Sequence, residues 1–508
     1  MDARHVVVVG GSATGMATAL ALWQDGRRVT VLERDRMPPC ESALAAFESW
    51  PRPGAPQARH SHAFLARLHN GIRERAPGLY AALLAAGAEP MRFSDMARGI
   101  FPQPALVSED EEITLLACRR LTFDWVLRRH LETATGVRWR DGVAVEGLAA
   151  ERDAATGLPR VVGVRARGAA GGLEVLCADL VVDASGRRSA LGSWLAEIGA
   201  RPLREESEPC GIFYSSRFYR LRPGVVPPPI EGPIGADLGY MKYAIFPGDS
   251  RIFSVTLAAS PDDAALRAVL QPAAFEAATA ALPATRGWVD PAVSEPITKV
   301  YGFGDLENTL RFFVEGGEPP ALGVFPLGDA LAHTNPLSGR GCTLGWMGAF
   351  LLADAFRRHP DDSRAFARAL WRDISREVIP WYESIRDQDR AAARTAELAS
   401  TGADPFAFER ADGTLDPAAY LRSLLRDGLV PALREDLVVM RAFMRVFNML
   451  DSPRDVLGSP DVLRRVLAAW QRRGEREPLR LGPPREQMVE ALRAAAGRIS
   501  SRHARACG

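Results

Sequence analysis

The chain has 508 residues, 47% of them hydrophobic and 25% charged, with a formal net charge of +1. That length exceeds one simple core and predicts two or three domains, while near-neutral charge gives no case for a nucleic-acid partner. No apolar run reaches spanning length, so no integral membrane segment is expected. Val6 opens a strand too early for a signal peptide.

The six cysteines (Cys40, Cys118, Cys177, Cys210, Cys342 and Cys507) form no C-x-x-C pair. A reducing, cytoplasmic setting without a metal site is therefore expected. Lys242 and Lys299 are the only lysines against a large excess of arginine, which base composition explains.

Val6 to Val9 read as a short strand buried on both faces. Gly10-Gly11-Ser12-Ala13-Thr14-Gly15 then turns the chain into a helix, and after Asp25-Gly26 a second strand ends in Glu33. This is the order of a dinucleotide-binding βαβ unit. Its glycines let backbone N–H groups approach a pyrophosphate at a helix N-terminus, and the acid about 20 residues on accepts from a ribose hydroxyl. Ser12 stands where the pattern has its middle glycine; it is small, and its hydroxyl can donate to a phosphate. Arg34 either stacks on an adenine or lies on the surface.

A Pro- and Arg-rich stretch (37–59) leads to His60 and His62. Two residues apart in extended chain, their rings are expected on one side, as a proton donor or a ligand clamp. Gln57 and Arg59 share that loop. Helices are expected over 62–75, 78–86 and 119–135. Strands are expected over 137–148, 160–167 and 173–182, the last running into Asp183-Ala184-Ser185-Gly186-Arg187-Arg188-Ser189.

Between about 205 and 315, aromatic residues near-alternate along strand-like segments, Phe213, Tyr214, Phe218, Tyr240, Met241, Tyr243 and Phe246 among them. Of these, Tyr240, Tyr243 and Phe246 are the expected substrate contacts. Residues 322–326 form a strand before Gly328-Asp329, a small-residue loop spans Pro336 to Gly341, and a helix starts near Cys342. Beyond 360 the chain reads as helices with loops at 400–415 and 452–458, and with a kink at Pro380. Glu383 and Asp387 share a solvated helix face.

Three segments in order resemble the three fingerprints of class A flavoprotein monooxygenases of the para-hydroxybenzoate hydroxylase fold. They are the G-x-S-x-x-G unit with Glu33, the DASGRRS stretch, and GDALAHTNPLSGRG. Arg52 to His62, R-x-G-x-P-Q-x-R-H-x-H, is similar to a stretch of bacterial natural-product epoxidases and hydroxylases. The fold so implied is α/β: a three-layer FAD-binding Rossmann-like domain with an inserted β-sheet substrate domain and a C-terminal helical domain. The boundaries are 1–75, 116–200 and 316–358 for the FAD domain, 76–115 and 201–315 for the substrate sheet, and 359–508 for the helices.

The resemblance implies FAD, held by Gly10, Gly11, Ser12, Ala13, Thr14, Gly15, Glu33, Arg34, Arg59, Asp183, Gly328, Asp329, Gly339, Arg340 and Gly341. Arg120 joins them, or Arg119, since the register is open by one. Asp329 takes the ribitol, and the Pro336–Gly341 loop lies against the isoalloxazine. His60, His62 and Pro336 are the implied catalytic residues, and His333 sits where family members often carry a histidine beside the flavin.

The implied reaction is epoxidation or hydroxylation of a hydrophobic small molecule of secondary metabolism, with O2, through a C4a-hydroperoxyflavin. The alternatives are a dehydrogenase or reductase without oxygen insertion and a catalytically silent FAD-binding protein. Electrons come from NAD(P)H, directly or through a separate flavin reductase, because members using NADPH directly usually carry Asp-Gly where this chain has Asp183-Ala184. Flavin halogenases need an N-terminal lysine and a W-x-W-x-I-P stretch. No lysine precedes Lys242, and Gly287 to Pro291 match poorly, so halogenation is not expected. Geranylgeranyl-lipid reductases share the fold, but their aromatic signature has no counterpart here.

Overall fold

Five parallel strands organise the molecule: β1 (His5–Val9), β2 (Arg28–Glu33), β3 (Arg138–Asp141), β4 (Leu180–Asp183) and β5 (Val324–Pro326). Their order across the sheet is β5, β4, β1, β2, β3. The β-branched run of β1 is buried because it is central and covered on both faces. The computed structural model describes residues 4–168, 171–400, 402–410, 412–453, 455–477 and 481–506, except for the side chains of 399–400 and 496–506. Residues 401, 411 and 454, in expected loops, and Cys507 lie outside the described residues.

Four helices matter for the site: α1 (Ala13–Gln24), α2 (Arg120–Ala134), α3 (Gly341–Arg358) and α4 (Ile379–Ser400). Helices α1 and α3 pack closely because two glycines face Thr14. A Cβ on Gly345 would lie 2.2 Å from Thr14 Oγ1, and one on Gly328 would lie 2.6 Å from it. In this register Gly10, Glu33, Asp183 and Gly328-Asp329 all stand at the carboxyl ends of the strands, where ligands bind in such sheets.

A second, antiparallel sheet is built from Phe213–Leu221, Met241–Pro247 and Ile252–Ala259, with Gly235–Asp237, Ser294–Pro296 and Tyr301–Phe303 at its margins. One of its faces packs on Pro272–Ala281 and on the last helix, α5 (Arg485–Ala506), whose Met488, Val489 and Leu492 join the same core as Tyr243. The end of the chain thus returns to this sheet. Phe93, Ala97 and Ile113 pack instead against Met440 of Leu437–Phe447.

Several expected elements are corrected. The strand expected over 137–148 is two: the chain turns at Gly142 (φ +69°), leaving β3 in the parallel sheet and Ala144–Arg152 in a separate three-stranded sheet. The expected 173–182 likewise divides into Leu173–Cys177 and β4. The helix expected from His62 starts at Ala66, because residues 60–64 stay extended beside the second sheet. Pro380 kinks nothing: the chain breaks at Val378, and Pro380 sits in the first turn of α4, where its missing N–H costs no bond. Among the described residues no helix is long and apolar enough to cross a membrane, and Cys40, Cys118, Cys177, Cys210 and Cys342 are free thiols.

Candidate cofactor and substrate site

The glycine turn is tight for steric reasons. Gly10 holds φ +101°, and a Cβ there would lie 2.5 Å from Ala184 O; a Cβ on Gly15 would lie 1.8 Å from Gly10 O. Glu33, at the end of β2, accepts from Gly11 N at 2.9 Å and from Asp35 N at 2.8 Å. Its carboxylate therefore lies against the turn. Arg34 is exposed beside Gly54, while the neighbouring Arg52 is the cation facing Glu33 and Asp35, at 3.4 and 3.6 Å. Ala13 is buried, and Thr14 is a wedge between α1 and α3 rather than a surface of the turn.

Arg120 is the node of the site. It is buried at the start of α2, where Nε donates to Asp124 Oδ1 at 2.8 Å and Nη2 to Ser12 Oγ at 2.8 Å. Its Nη1 donates to His62 Nε2 and to Cys342 Sγ, both at 3.2 Å. Burial pulls its pKa down, but the carboxylates of Asp124 and Asp329 and the Cys342 thiol outweigh this and raise it. One side chain thus ties together the glycine turn, the His60–His62 segment and the start of α3. Arg119, one residue away, faces Asp249 instead, through Nε at 3.1 Å and its backbone N at 2.8 Å, and clamps α2 to the second sheet. Of the two arginines left open by the sequence, Arg120 is the one that faces the glycine turn and the start of α3.

Asp183 is fully buried, and burial raises its pKa. Its carboxylate is turned into its own loop, where Ser185 N (3.0 Å) and the Ser189 hydroxyl donate to it, so it shapes the loop from within. Arg59 is also taken up structurally: its two terminal nitrogens donate to the carbonyls of Phe47 and Trp50, which pins the loop to that segment.

At the other rim, Asp329 sits in a single 3-10 turn after β5 and faces the N-terminus of α3; a Cβ on Gly341 would lie 3.9 Å from its Oδ1. Pro336 begins another such turn, capped by the Asn335 side chain, and Gly339 ends it in the left-handed region (φ +67°). The first N–H groups of α3 have no intrahelical partner and open toward this loop. Arg340 turns away: it is buried over Trp381 at 5.0 Å, and burial lowers its pKa to about 10. His333 Nδ1 meets Glu307 O at 2.5 Å. Sequence reasoning missed what holds the loop, namely Asp389 of α4. It accepts from Asn308 Nδ2 at 2.7 Å and Asn335 Nδ2 at 2.9 Å, while Asn335 N donates to Asn308 Oδ1 at 2.8 Å.

His60 and His62 line one small cavity but serve different partners. His62 bonds Arg120 and the His60 carbonyl (3.1 Å); His60 meets Ser216 Oγ at 3.0 Å and lies among Tyr214, Tyr301 and Phe303, with ring centroids 4.8–6.1 Å away. Burial lowers the pKa of both to about 3, helped for His62 by the Arg120 charge, so both rings are neutral. Tyr214, Ile212, Phe303, Ala258 and Leu337 form one apolar cluster, which joins the sheet to the Pro336–Gly341 loop.

Strand register separates the expected substrate contacts. Phe246 pairs with Ser254, on the His60 face. Tyr243 is two-residue periodicity's other choice: it faces α5, with its hydroxyl 3.4 Å from Leu481 O, and Tyr240 donates to Pro483 O at 2.7 Å. Tyr240 and Tyr243 therefore belong to the packing against the chain's end. Among the described residues, no group of three His, Cys, Asp or Glu side chains is arranged to hold a metal.

Comparison with known proteins fits this geometry. No family model matches the chain. It is 27% identical over 506 residues to Protein Rv3254 of Mycobacterium tuberculosis, covering 94% of this chain and 97% of that protein. It is similar in structure to PqsL, a probable FAD-dependent monooxygenase from Pseudomonas aeruginosa, with a TM-score of 0.53, 17% identity, and coverage of 78% of this chain and 96% of that one. It is also similar to the flavin-dependent brominase Bmp2, with a TM-score of 0.54, 15% identity, and coverage of 92% and 99%. The chain has the fold of these flavin enzymes.

Proposed function

We propose that this protein is an FAD-dependent oxidoreductase, a monooxygenase that epoxidises or hydroxylates a hydrophobic small molecule of secondary metabolism. The observation that carries the reading is Arg120, which joins Ser12, His62 and Cys342 within hydrogen-bond reach while facing Asp329. Two helix N-termini, α1 and α3, open on the same place, at the carboxyl edge of the parallel sheet.

The residues fit the cofactor in size and in donor chemistry. Gly10, Gly11 and Gly15 leave no Cβ in the turn, Glu33 offers an acceptor for a ribose, and Arg120 with the α1 N-terminus offers donors for a pyrophosphate. Asp329 suits ribitol hydroxyls, and the N–H groups opening α3 suit an electron-rich ring edge. FAD so bound supplies the redox chemistry and, with O2, oxygen transfer. The protein orients the ligand and excludes water, with Tyr214, Phe303, Ala258, Leu337 and Phe246 as walls. The segments 1–75, 116–200 and 316–358 compose the FAD-binding part.

The absence of any lysine before Lys242 supports oxygen insertion over halogenation. Ala184, buried and bonded through N to Val9 O at 2.8 Å, leaves electron delivery to NAD(P)H directly or through a flavin reductase. The unpaired thiols support a cytoplasmic setting.

The test is reconstitution followed by turnover under ¹⁸O2. One FAD per chain and labelled oxygen in the product are expected. Protein that stays colourless after refolding with FAD overturns the reading.

A further inference from the structure

Four hydroxyls and one imidazole form a buried chain on the inner face of the second sheet. Thr256 Oγ1 donates to Ser61 Oγ at 2.7 Å, and Ser61 Oγ donates to Ser254 Oγ at 2.7 Å. Ser216 Oγ lies 2.8 Å from Thr256 Oγ1, and His60 Nδ1 lies 3.0 Å from Ser216 Oγ. His60, Ser216, Thr256 and Ser254 are each at least nine-tenths buried.

Hydrogen counting fixes the direction of the whole chain. A hydroxyl carries one hydrogen. Thr256 spends its own on Ser61, so Thr256 accepts from Ser216. Ser216 has then spent its hydrogen, so toward His60 it can only accept, and Nδ1 of His60 carries the proton. Since the ring is neutral, Nε2 is a bare lone pair. No described residue donates to it, and the imidazole packs among the rings of Tyr214, Tyr301 and Phe303. His62 has the same tautomer for another reason, since Arg120 can only donate, but its Nε2 is thereby occupied. The two histidines are therefore not interchangeable.

We infer that His60 Nε2 is the hydrogen-bond acceptor for the substrate, and that the substrate is a neutral, largely apolar molecule carrying a hydroxyl or N–H group close to the carbon that is oxidised. This rests on the reading of the cavity lined by His60, His62 and Phe246 as part of the substrate site. A carboxylate has no hydrogen to offer this lone pair and is disfavoured. Ser216, Thr256, Ser61 and Ser254 are positioning residues that hold the tautomer.

Two measurements test this on the FAD-loaded protein. With ¹⁵N-histidine labelling, the His60 ring, identified by the loss of its signals in His60→Gln and in His60→Asn, should show a protonated Nδ1 and a bare Nε2. Phenol, titrated by its perturbation of the flavin spectrum, should bind about tenfold tighter than anisole, a factor of the size expected for one hydrogen bond. In Ser216→Ala that preference should fall to within about threefold, because Nδ1 has lost its acceptor and the tautomer is no longer held. A protonated Nε2 in the wild type, or equal binding of phenol and anisole, overturns the inference even where FAD is bound and oxygen is transferred. Failure to bind FAD at all overturns the functional reading instead.

Discussion

Asn335 and Asp389 stand 54 residues apart in the chain, yet Asn335 Nδ2 donates to Asp389 Oδ1 at 2.9 Å. Through this bond and its partner from Asn308, helix α4 sets the conformation of the loop that precedes α3. Burial raises the pKa of Asp389, so the fold accepts a desolvated acid at this point in exchange for two anchored amides. Replacing Asp389 by Ala leaves both amides buried without that acceptor. The expected loss is about 1–3 kcal/mol of stability, read from the urea midpoint at constant m. A change within experimental error would show that the loop holds its shape without α4.

Arg120 and Arg119 are neighbours with separate duties, and their variants should fail differently. Arg120→Gln removes the charged donor shared by Ser12, His62 and Cys342, and FAD affinity should fall about 10- to 100-fold. Arg119→Gln breaks the buried pair with Asp249 and should lower the unfolding free energy by about 3 kcal/mol or more while folded protein still takes up FAD. Fluorescence of released flavin and urea unfolding separate the two. Identical phenotypes would contradict the division of roles.

How much of this was legible follows from how local each signal is. Val6 to Glu33 is one supersecondary unit whose strand, turn and acid all lie within 28 consecutive positions, so its reading needed no tertiary information. The Arg120–Asp124 pair was also open to view, as an i,i+4 spacing on a helix. The proposed substrate wall was half legible. Alternation finds a sheet, but which face meets the ligand is decided by distant partners, and here α5 claims Tyr243 while residues 60–63 claim the face of Phe246. The Asp389 anchor and the His60 hydroxyl chain left no local trace, since the members of each come from three separate segments of chain.

Acid should unfold this protein through its buried histidines. His60 and His62 have folded-state pKa values near 3 against an ordinary 6.5, so the unfolded chain binds more protons between those limits. Stability therefore rises with pH across that window and is flat for these two groups above it. Urea unfolding at pH 7.5, 6 and 5 should show a falling midpoint below about pH 6.5, with a shallower fall in His60→Gln. An unchanged slope in that variant would mean that His60 is protonated in the folded state.

Gly10 and Gly11 are adjacent, but only one should be rescuable. At Gly10 an added Cβ meets backbone, Ala184 O at 2.5 Å, and the residue's φ of +101° is unfavourable to any side chain. At Gly11 the obstacle is a side chain: a Cβ would lie 2.6 Å from Cζ2 of Trp139, which stands on the edge strand β3, beyond β2. Gly11→Ala should therefore cost about 1–3 kcal/mol and weaken FAD binding about tenfold, as the indole pushes against the turn. Adding Trp139→Leu should return both to within about threefold of the parent carrying Trp139→Leu alone, whereas the same second change should do nothing for Gly10→Ala. Flavin titration of the five variants provides the comparison, and a Gly11→Ala defect that persists in the double variant would mean that the turn excludes a Cβ for the ligand's sake rather than for the indole's.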